Sequence, residues 1–372
     1  MRLLSPILQR VVYPAVAKVG YFHWRSSSAL RVITYHGVLP ERYRSADHFL
    51  DSTLVNLPSF RSQLALLKRH YNVISPERFL SWLRKLEKLP ERAVLLTCDD
   101  GLLNNLTIMA PVLQEEGLQC LFFVTGRSAG NTPAMLWYVE LYLMLMEARG
   151  THQPFDWRGL LIPAIPADRL ERIACWLQLM KTLSRFDGVE RLDFVGEAAR
   201  RWGLDSQWKR KYLDDPLLRQ RFQLLCTQEV RRLAEAGMTI GAHTMSHLIL
   251  AEQSSDLARA EIADCRTTLE RCSGQPVWAL AYAFGDPASV GNREYQLAES
   301  AGYECAFVNV GGPLGKTFSR FALPRIHVTA EMSLPVYEAH ISGFHDSLQR
   351  RLRRPSSDLN KAAQPTNQSS QS

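Results

Sequence analysis

Two short apolar stretches of this chain each end in a cluster of polar residues, and this pattern constrains the fold more than any other feature. The first stretch, residues 93–96, leads into Asp99, Asp100 and Gly101. The second begins at residue 238 and leads into His243 and His247. Short apolar runs bounded by turn residues are typical of buried strands, and a glycine allows the chain to turn sharply after such a strand. We therefore predict two buried strands that carry polar side chains at their ends.

Asp99 and Asp100 are adjacent, so at the end of a strand their side chains point in different directions. One carboxylate can therefore bind a metal while the other accepts a proton from water. A purely structural explanation also exists, since either aspartate can form an Asx turn or cap the helix that is predicted to follow.

His243 and His247 are four residues apart, which can place two imidazoles on one face of a helical turn, as paired metal ligands require. The spacing alone is weak, because surface histidines at this distance are common. Together with the paired aspartates it is more specific. Two neutral imidazoles and one carboxylate form a facial triad that leaves metal positions open for water and substrate. The second carboxylate is then a candidate general base.

With these motifs, the chain resembles the polysaccharide deacetylase family, also called the NodB-homology or carbohydrate esterase family 4 domain. The family motifs T-F-D-D-G and H-[ST]-x-x-H correspond to residues 97–101 and 243–247, with Cys98 in place of the usual phenylalanine. The resemblance extends over roughly residues 30–130 and 226–330. A subgroup that modifies exopolysaccharides and lipid-linked sugars opens with a Tyr-His pair similar to Tyr35-His36.

The resemblance implies a distorted (β/α)7 barrel in which Asp99 is the base and Asp100, His243 and His247 bind a divalent metal. Zinc suits these ligands best, with cobalt, nickel or iron as alternatives. The implied reaction removes an acetyl group from an N-acetylated or O-acetylated sugar of a polysaccharide or lipid-linked glycan. Two other functions stay open: metal-dependent hydrolysis of another non-peptide C–N bond, and sugar binding by a catalytically silent homologue.

Two histidines are candidates for the acid that protonates the leaving amine. His327 stands where the last family motif, L-x-H, would fall, although Arg325 replaces its leucine. His36 follows the first predicted strand. We favour His327 as the acid, and for either residue the alternative is a hydrogen-bonded structural histidine.

Residues 281–285 resemble the third family motif, Y-P-[YF]-G, with an alanine in place of proline. The resemblance places Tyr282 and Phe284 near the substrate. The arginine that usually tethers the base in this motif is absent. Arg325 is therefore a candidate for the missing cation beside Asp99 and a third residue near the substrate; the alternative is a surface ion pair.

Strands and helices alternate on both sides of a long central segment, which favours a parallel sheet or barrel. In such folds the site lies at the carboxyl ends of the strands. The segment at about 131–225 is longer than a few βα units need, and we predict that it is a helical insertion. Its aromatic residues predict either a sugar-binding lid or, as we favour, the core of a helical subdomain. They are Trp137, Tyr138, Tyr142, Trp157, Trp176, Trp202, Trp208 and Tyr212.

The two ends of the chain differ from the deacetylase domain, which we place at residues 30–346. Residues 1–29 are basic, contain no acidic residue, and space their apolar residues as an amphipathic helix does. Such a helix can lie on an anionic membrane surface or pack against the domain, and we slightly favour packing. Residues 347–372 are polar and rich in serine and glutamine, so we predict a disordered tail.

Composition narrows the partners and the compartment. The net charge of +7 is mild, and no basic stripe is interleaved with aromatic residues, so we expect no nucleic-acid partner. Seven cysteines without a C-x-x-C pair are typical of a reduced, cytosolic chain. No apolar run is long enough to span a bilayer. We therefore predict a cytoplasmic protein, with peripheral contact on the inner face of the membrane through residues 1–29.

Overall fold

A parallel β-sheet forms the centre of the protein in the computed structural model, which describes residues 5–22, 29–130, 132–149, 152–315 and 317–353. The strands are β1 Arg31–Tyr35, β2 Val38–Leu39, β3 Val55–Asn56, β4 Asn72–Ile74, β5 Ala93–Cys98, β6 Leu121–Val124, β7 Phe155–Trp157, β8 Leu160–Ile162, β9 Thr239–Ala242, β10 Ala279–Ala281, β11 Cys305–Phe307 and β12 Ile326–His327. The two strands predicted from the polar clusters are β5 and β9.

Seven strands follow one path in the order β11-β10-β9-β6-β5-β1-β12, and every pair along it is parallel. Strand β4 pairs with residues 93–95 at the start of β5, and β6 pairs with residues 97–98 on the same edge of that strand. An isolated parallel bridge between Phe307 and Leu323 connects β11 to the segment that leads into β12. The sheet thus curls almost completely around, which confirms the predicted distorted (β/α)7 barrel.

Helices surround the sheet, and several of them begin at conventional capping residues. They are α1 Ser5–Ile7, α2 Tyr13–Lys18, α3 Leu57–His70, α4 Pro76–Leu83, α5 Ala110–Glu115, α6 Trp137–Glu147, α7 Arg169–Leu183, α8 Gly188–Arg201, α9 Arg210–Leu213, α10 Leu218–Phe222, α11 Thr227–Glu235, α12 Ser255–Ser273, α13 Asn292–Ser300, α14 Leu334–Ile341 and α15 Phe344–Arg353. The side chain of Ser254 caps α12, which ends at Gly274 in the left-handed conformation (φ 71°).

The segment predicted as a helical insertion forms helices α6 to α10 and a hairpin, β7–β8, that the sequence patterns do not predict. Its hydrophobic core is separate from the barrel core and also takes in residues from loops of the barrel domain, namely Leu39, Tyr43, Leu50, Leu54 and Leu102. Trp137, Tyr142, Trp157 and Trp202 are all buried in that core. Most of the predicted aromatic residues therefore fill the subdomain, as favoured.

The N-terminal segment is helical and packs against the C-terminal helices. Tyr13 and Phe22 are buried against α14 and α15, and the Tyr13 hydroxyl lies 2.8 Å from Nδ1 of His345. Leu348 also packs against this cluster, and its helix, α15, continues to Arg353. Residues 347–353 are therefore helical, and the predicted disorder is wrong for them. The rest of the predicted tail, 354–372, and residues 1–4 and 23–28 of the N-terminal segment lie outside the described residues.

The sequence predicts reduced cysteines and no membrane-spanning segment, and the structure describes both features. All seven cysteines are free thiols, and six are buried. The most apolar long helix, α6, has 11 residues. No helix in the described ranges is both long enough and apolar enough to cross a bilayer.

Candidate active site

The two predicted strand-end motifs meet at the carboxyl edge of the sheet. Asp100 follows β5, and His243 directly follows β9. Oδ1 of Asp100 lies 3.5 Å from Nε2 of His243 and 3.3 Å from Nε2 of His247. All three side chains are buried, and their candidate ligand atoms lie within 4.8 Å of one another. The described residues contain one such group, and its members are the three predicted ligands.

The donor set of this group fits a divalent metal. Nδ1 of His243 donates to the carbonyl oxygen of Ala281 at 2.8 Å, so Nε2 is the ring nitrogen that faces Asp100. Oδ1 of Asp100 is buried and has no hydrogen-bond partner among the described residues. Two imidazole nitrogens and a carboxylate oxygen that converge on one point are ligands that zinc and related metals prefer.

The charges of the group also suit metal binding. Burial by itself would raise the pKa of Asp100, but the neighbouring rings of His243 and His247 hold it well below its usual range. Burial lowers the pKa of His247, so this ring is neutral. The pKa of His243 is raised, because Asp99 and Asp100 outweigh the effect of burial on it. The carboxylate is thus ionised, as a metal ligand must be.

The backbone at these ligands is held in an uncommon conformation. Asp100, Thr244 and His247 have φ angles of 77°, 59° and 55°, in the left-handed region that side chains other than glycine rarely adopt. Gly101 follows with φ 77°, and a Cβ there would lie 2.8 Å from Cγ1 of Val124. Such strain is kept only where surrounding contacts fix the chain, so the ligand loops are held rigidly by their neighbours.

Asp99 forms a buried ion pair with Arg325, the residue before β12. The two terminal nitrogens of the guanidinium lie 2.6 and 2.7 Å from the two carboxylate oxygens. The side chains are 4% and 1% exposed, which excludes a surface ion pair. Burial would raise the pKa of Asp99, but Arg325 and then His243 outweigh it and lower this pKa. Arg325 lies behind Asp99 and not on the wall of the cavity described below, so its contact is with the predicted base.

The two candidate acids are hydrogen-bonded to each other. Nε2 of His327 lies 3.2 Å from Nδ1 of His36. His36 lines the cavity that holds the metal-ligand group, whereas His327 lines a neighbouring cavity of about 290 Å³. Burial and the nearby His36 lower the pKa of His327 to about 3, so its ring is neutral near pH 7. The structure therefore brings both candidates to the site, with His36 on the wall of the cavity and His327 behind it.

A cavity of about 350 Å³ opens above the metal-ligand group. Tyr282 and Phe284, which the resemblance places near the substrate, line this cavity. Tyr138 and Trp176 of the insertion also line it, and the Tyr138 ring lies 5.8 Å from the Phe284 ring between centroids. The sequence patterns missed other wall residues because they carry no motif; these are Phe49, Leu50, Ser52, Thr53, Leu136, Val139, Arg221, Asp286 and Asn309. The cavity therefore combines buried polar side chains with aromatic surfaces.

Comparisons with known sequences agree with this arrangement. Residues 199–306 match the family model described as Polysaccharide deacetylase. This range contains both histidine ligands but not the paired aspartates. The Bacillus subtilis protein YxkH, which is described as a polysaccharide deacetylase, is 24% identical to this chain over 120 residues. That match covers 32% of this chain and 42% of the length of YxkH.

Solved structures share the fold over most of the chain. The Streptococcus pyogenes deacetylase PplD, solved in complex with acetate, is 16% identical, with a TM-score of 0.52 over 85% of this chain and 99% of its own. IcaB from Ammonifex degensii gives 16% identity and a TM-score of 0.51 over 85% and 98%. The Bacillus cereus polysaccharide deacetylase BC0361 gives 15% and 0.50 over 85% and 69%. At these identities the likeness establishes the fold.

Proposed function

We propose, on the premise that this chain is a relative of the polysaccharide deacetylases, that it is a metal-dependent deacetylase of an N-acetylated sugar in a polysaccharide or lipid-linked glycan. The resemblance read from the motifs is confirmed by the family match and by the shared fold. The observation that supports the activity is the placement of Asp100, His243 and His247 at the same cavity as the Asp99–Arg325 pair.

Each residue then has a role in hydrolysis. A divalent metal held by Asp100, His243 and His247 would supply Lewis-acid polarisation of the acetyl carbonyl and activate water. Asp99 accepts the proton of the attacking water, because each of its oxygens keeps a second lone pair beside the bond to Arg325. Arg325 keeps this base ionised and fixes its orientation.

The leaving amine needs a proton, and we propose that the His36–His327 pair supplies it. The motif position favours His327, whereas the cavity wall favours His36, whose ring faces the substrate space. Because the two rings are hydrogen-bonded to each other, each ring fixes the orientation of the other and of the proton that the other ring carries.

Acetate release tests the activity. The enzyme is assayed on N-acetylated and O-acetylated sugars, with and without zinc, cobalt, nickel or iron. Acetate that appears from the N-acetylated sugar with metal and disappears with a chelator supports the proposal. Hydrolysis of other amides but of no acetylated sugar would favour a different C–N substrate, and metal binding without any hydrolysis would favour a silent homologue.

Metal content tests the ligand assignment independently of turnover. We expect His247→Ala to lose most of the bound metal in elemental analysis. His48→Ala is the matched control, because His48 is exposed and is not a member of the buried Asp-His-His group. Equal metal content in wild type and His247→Ala would show that the assignment is wrong.

The N-terminal helices support peripheral contact with an anionic membrane, which we also propose. One face packs on α14 and α15, while Ile7, Val11 and Val19 on the segment remain 54%, 61% and 77% exposed. Arg10 and Lys18 are exposed on the same segment. Exposed apolar side chains flanked by cations are typical of helices that lie on anionic lipid surfaces. This contact would bring the enzyme to a lipid-linked substrate at the inner face of the membrane.

Co-sedimentation with vesicles tests the contact. We expect the wild type to bind vesicles that contain phosphatidylserine and the triple variant Ile7→Gln, Val11→Gln, Val19→Gln to bind them poorly. The matched control replaces Leu161, Leu170 and Val189 of the insertion by glutamine, because these three side chains are 74–76% exposed. Equal binding of all three proteins would return the segment to a packing role alone.

A further inference from the structure

The insertion reaches the metal-binding loop through two buried side chains. Nε1 of Trp137, at the start of α6, donates to the carbonyl oxygen of His247 at 3.0 Å. Nη2 of Arg191, on α8, donates to Oγ of Ser246 at 2.7 Å. Both donors are buried. The insertion therefore contacts a ligand residue and the residue before it.

These contacts belong to one connected unit. The guanidinium of Arg191 lies over the Trp137 ring, 4.9 Å from its centroid. Ser246 in turn donates its backbone N–H to Glu261 of α12 at 2.8 Å, and its hydroxyl bonds the other carboxylate oxygen. The loop is thus held from the barrel side by α12 and from the insertion side by Trp137 and Arg191.

The two histidine ligands differ in how their rings are held. Nδ1 of His243 donates to the carbonyl of Ala281, a hydrogen bond that orients a ligand ring. Nδ1 of His247 has no hydrogen-bond partner among the described residues. Its ring instead packs between Tyr138 and Phe284, with centroid distances of 5.0 and 4.8 Å. His247 therefore depends on its backbone and on its packing for orientation.

The backbone of His247 needs external support, because its φ of 55° lies in the left-handed region. The bond from Trp137 fixes the carbonyl of this same residue, and Tyr138, the next residue of α6, fixes its ring. We infer that the insertion braces the metal site, with Trp137 and Arg191 as positioning residues for His247. This inference rests on the proposed metal-dependent function and extends it to the role of the insertion.

Zinc affinity of the full chain tests the brace without substrate. We expect Trp137→Phe, which keeps an aromatic ring but loses the N–H donor, to weaken zinc binding about tenfold in a competition with a chromophoric chelator, the lower end of the usual effect of such outer contacts. Trp157→Phe is the matched control: Trp157 is also a buried indole of the insertion, but its N–H donates to Asp193 at 3.3 Å. We expect wild-type zinc affinity for this control.

Arg191→Gln provides a second variant should Trp137→Phe fail to fold, because it removes the bond to Ser246 from the same side of the loop. It should weaken zinc binding in the same direction. Wild-type affinity in Trp137→Phe, or in Arg191→Gln as the substitute, would overturn the inference. An equal loss in Trp157→Phe would overturn it too, since the effect would then be general destabilisation.

Hydrogen exchange provides a readout that a merely structural role would not move. Coupling between two sites is reciprocal, so zinc should slow amide exchange in α6 of the wild type and slow it less in Trp137→Phe. Unchanged exchange of α6 on zinc addition to the wild type would contradict the brace. A wild type that binds no zinc at all would instead refute the proposed function, so the two failures are distinguishable.

Discussion

Replacing Arg325 by methionine should destabilise the protein strongly, because it leaves a buried carboxylate without its partner. Both terminal nitrogens of Arg325 bond Asp99, at 2.6 and 2.7 Å, and one also donates to Oγ1 of Thr34 at 3.1 Å. Because both side chains are almost fully buried, little water reaches the pair to replace these bonds. Breaking a buried pair by removing one partner costs about 3–5 kcal/mol, which is a large part of the stability of about 5–15 kcal/mol that domains have.

Urea unfolding of the metal-free protein, in the presence of a chelator, measures this cost apart from catalysis. The matched control is Arg61→Met, because Arg61 and Glu115 also form an ion pair at 2.7 Å but are about half exposed. We expect this control to lose at most about 1 kcal/mol. The contrast between the two variants separates a buried pair with two hydrogen bonds from an exposed pair with one.

A double-mutant cycle tests the reasoning further. Asp99→Asn removes the buried charge that Arg325→Met leaves behind, so the double variant should lose clearly less stability than the sum of the two single variants. Coupling energies within one ion-pair network reach about 0.5–3 kcal/mol. Additive losses, or a loss from Arg325→Met no larger than that of the exposed control, would refute the view that the pair is desolvated and tightly coupled.

Three further predictions concern catalysis and pH. Asp99→Asn should keep the fold and the bound metal but lose about two to four decades of rate, the usual contribution of a general base; loss of metal in elemental analysis would instead make Asp99 a ligand. If His327 is the acid, His327→Ala should slow N-deacetylation far more than hydrolysis of an activated aryl acetate, whose phenolate leaves unaided, while His36→Ala should lose similarly on both substrates; the reverse pattern would make His36 the acid. Burial, and then the neighbouring His345, lower the pKa of His340 to about 4, so the unfolded chain binds the proton first and stability should fall as pH falls from about 6.5 to about 4. The shift corresponds to about 2 kcal/mol between pH 7 and pH 5, and in urea unfolding without metal His340→Gln should lose correspondingly less than wild type; parallel pH profiles would contradict this.

The sequence by itself determined the parallel sheet and the residues at the centre of the site. Apolar runs that end in polar residues specify strands and place their last side chains at one edge of a parallel sheet, so local patterns brought Asp99 and Asp100 together with His243 and His247. The family resemblance added the barrel and the choice of Asp100 as the ligand. The excess length between the two motifs likewise identified the insertion. These features follow from patterns among residues that are close together in the sequence, so they can be identified without the structure.

Only the tertiary structure decided which residues support that centre. Arg325 and Asp99 are separated by most of the barrel along the chain, and only the pairing of β1 with both β5 and β12 places them side by side. The same pairing of β1 with β12 places His36 next to His327, a contact that no spacing reveals. In the sequence, Trp137 cannot be told from any other core aromatic residue. Its hydrogen bond goes to the backbone carbonyl of His247, and a backbone carbonyl leaves no mark in a sequence. Long-range packing creates such contacts, so they appear only once the chain has folded.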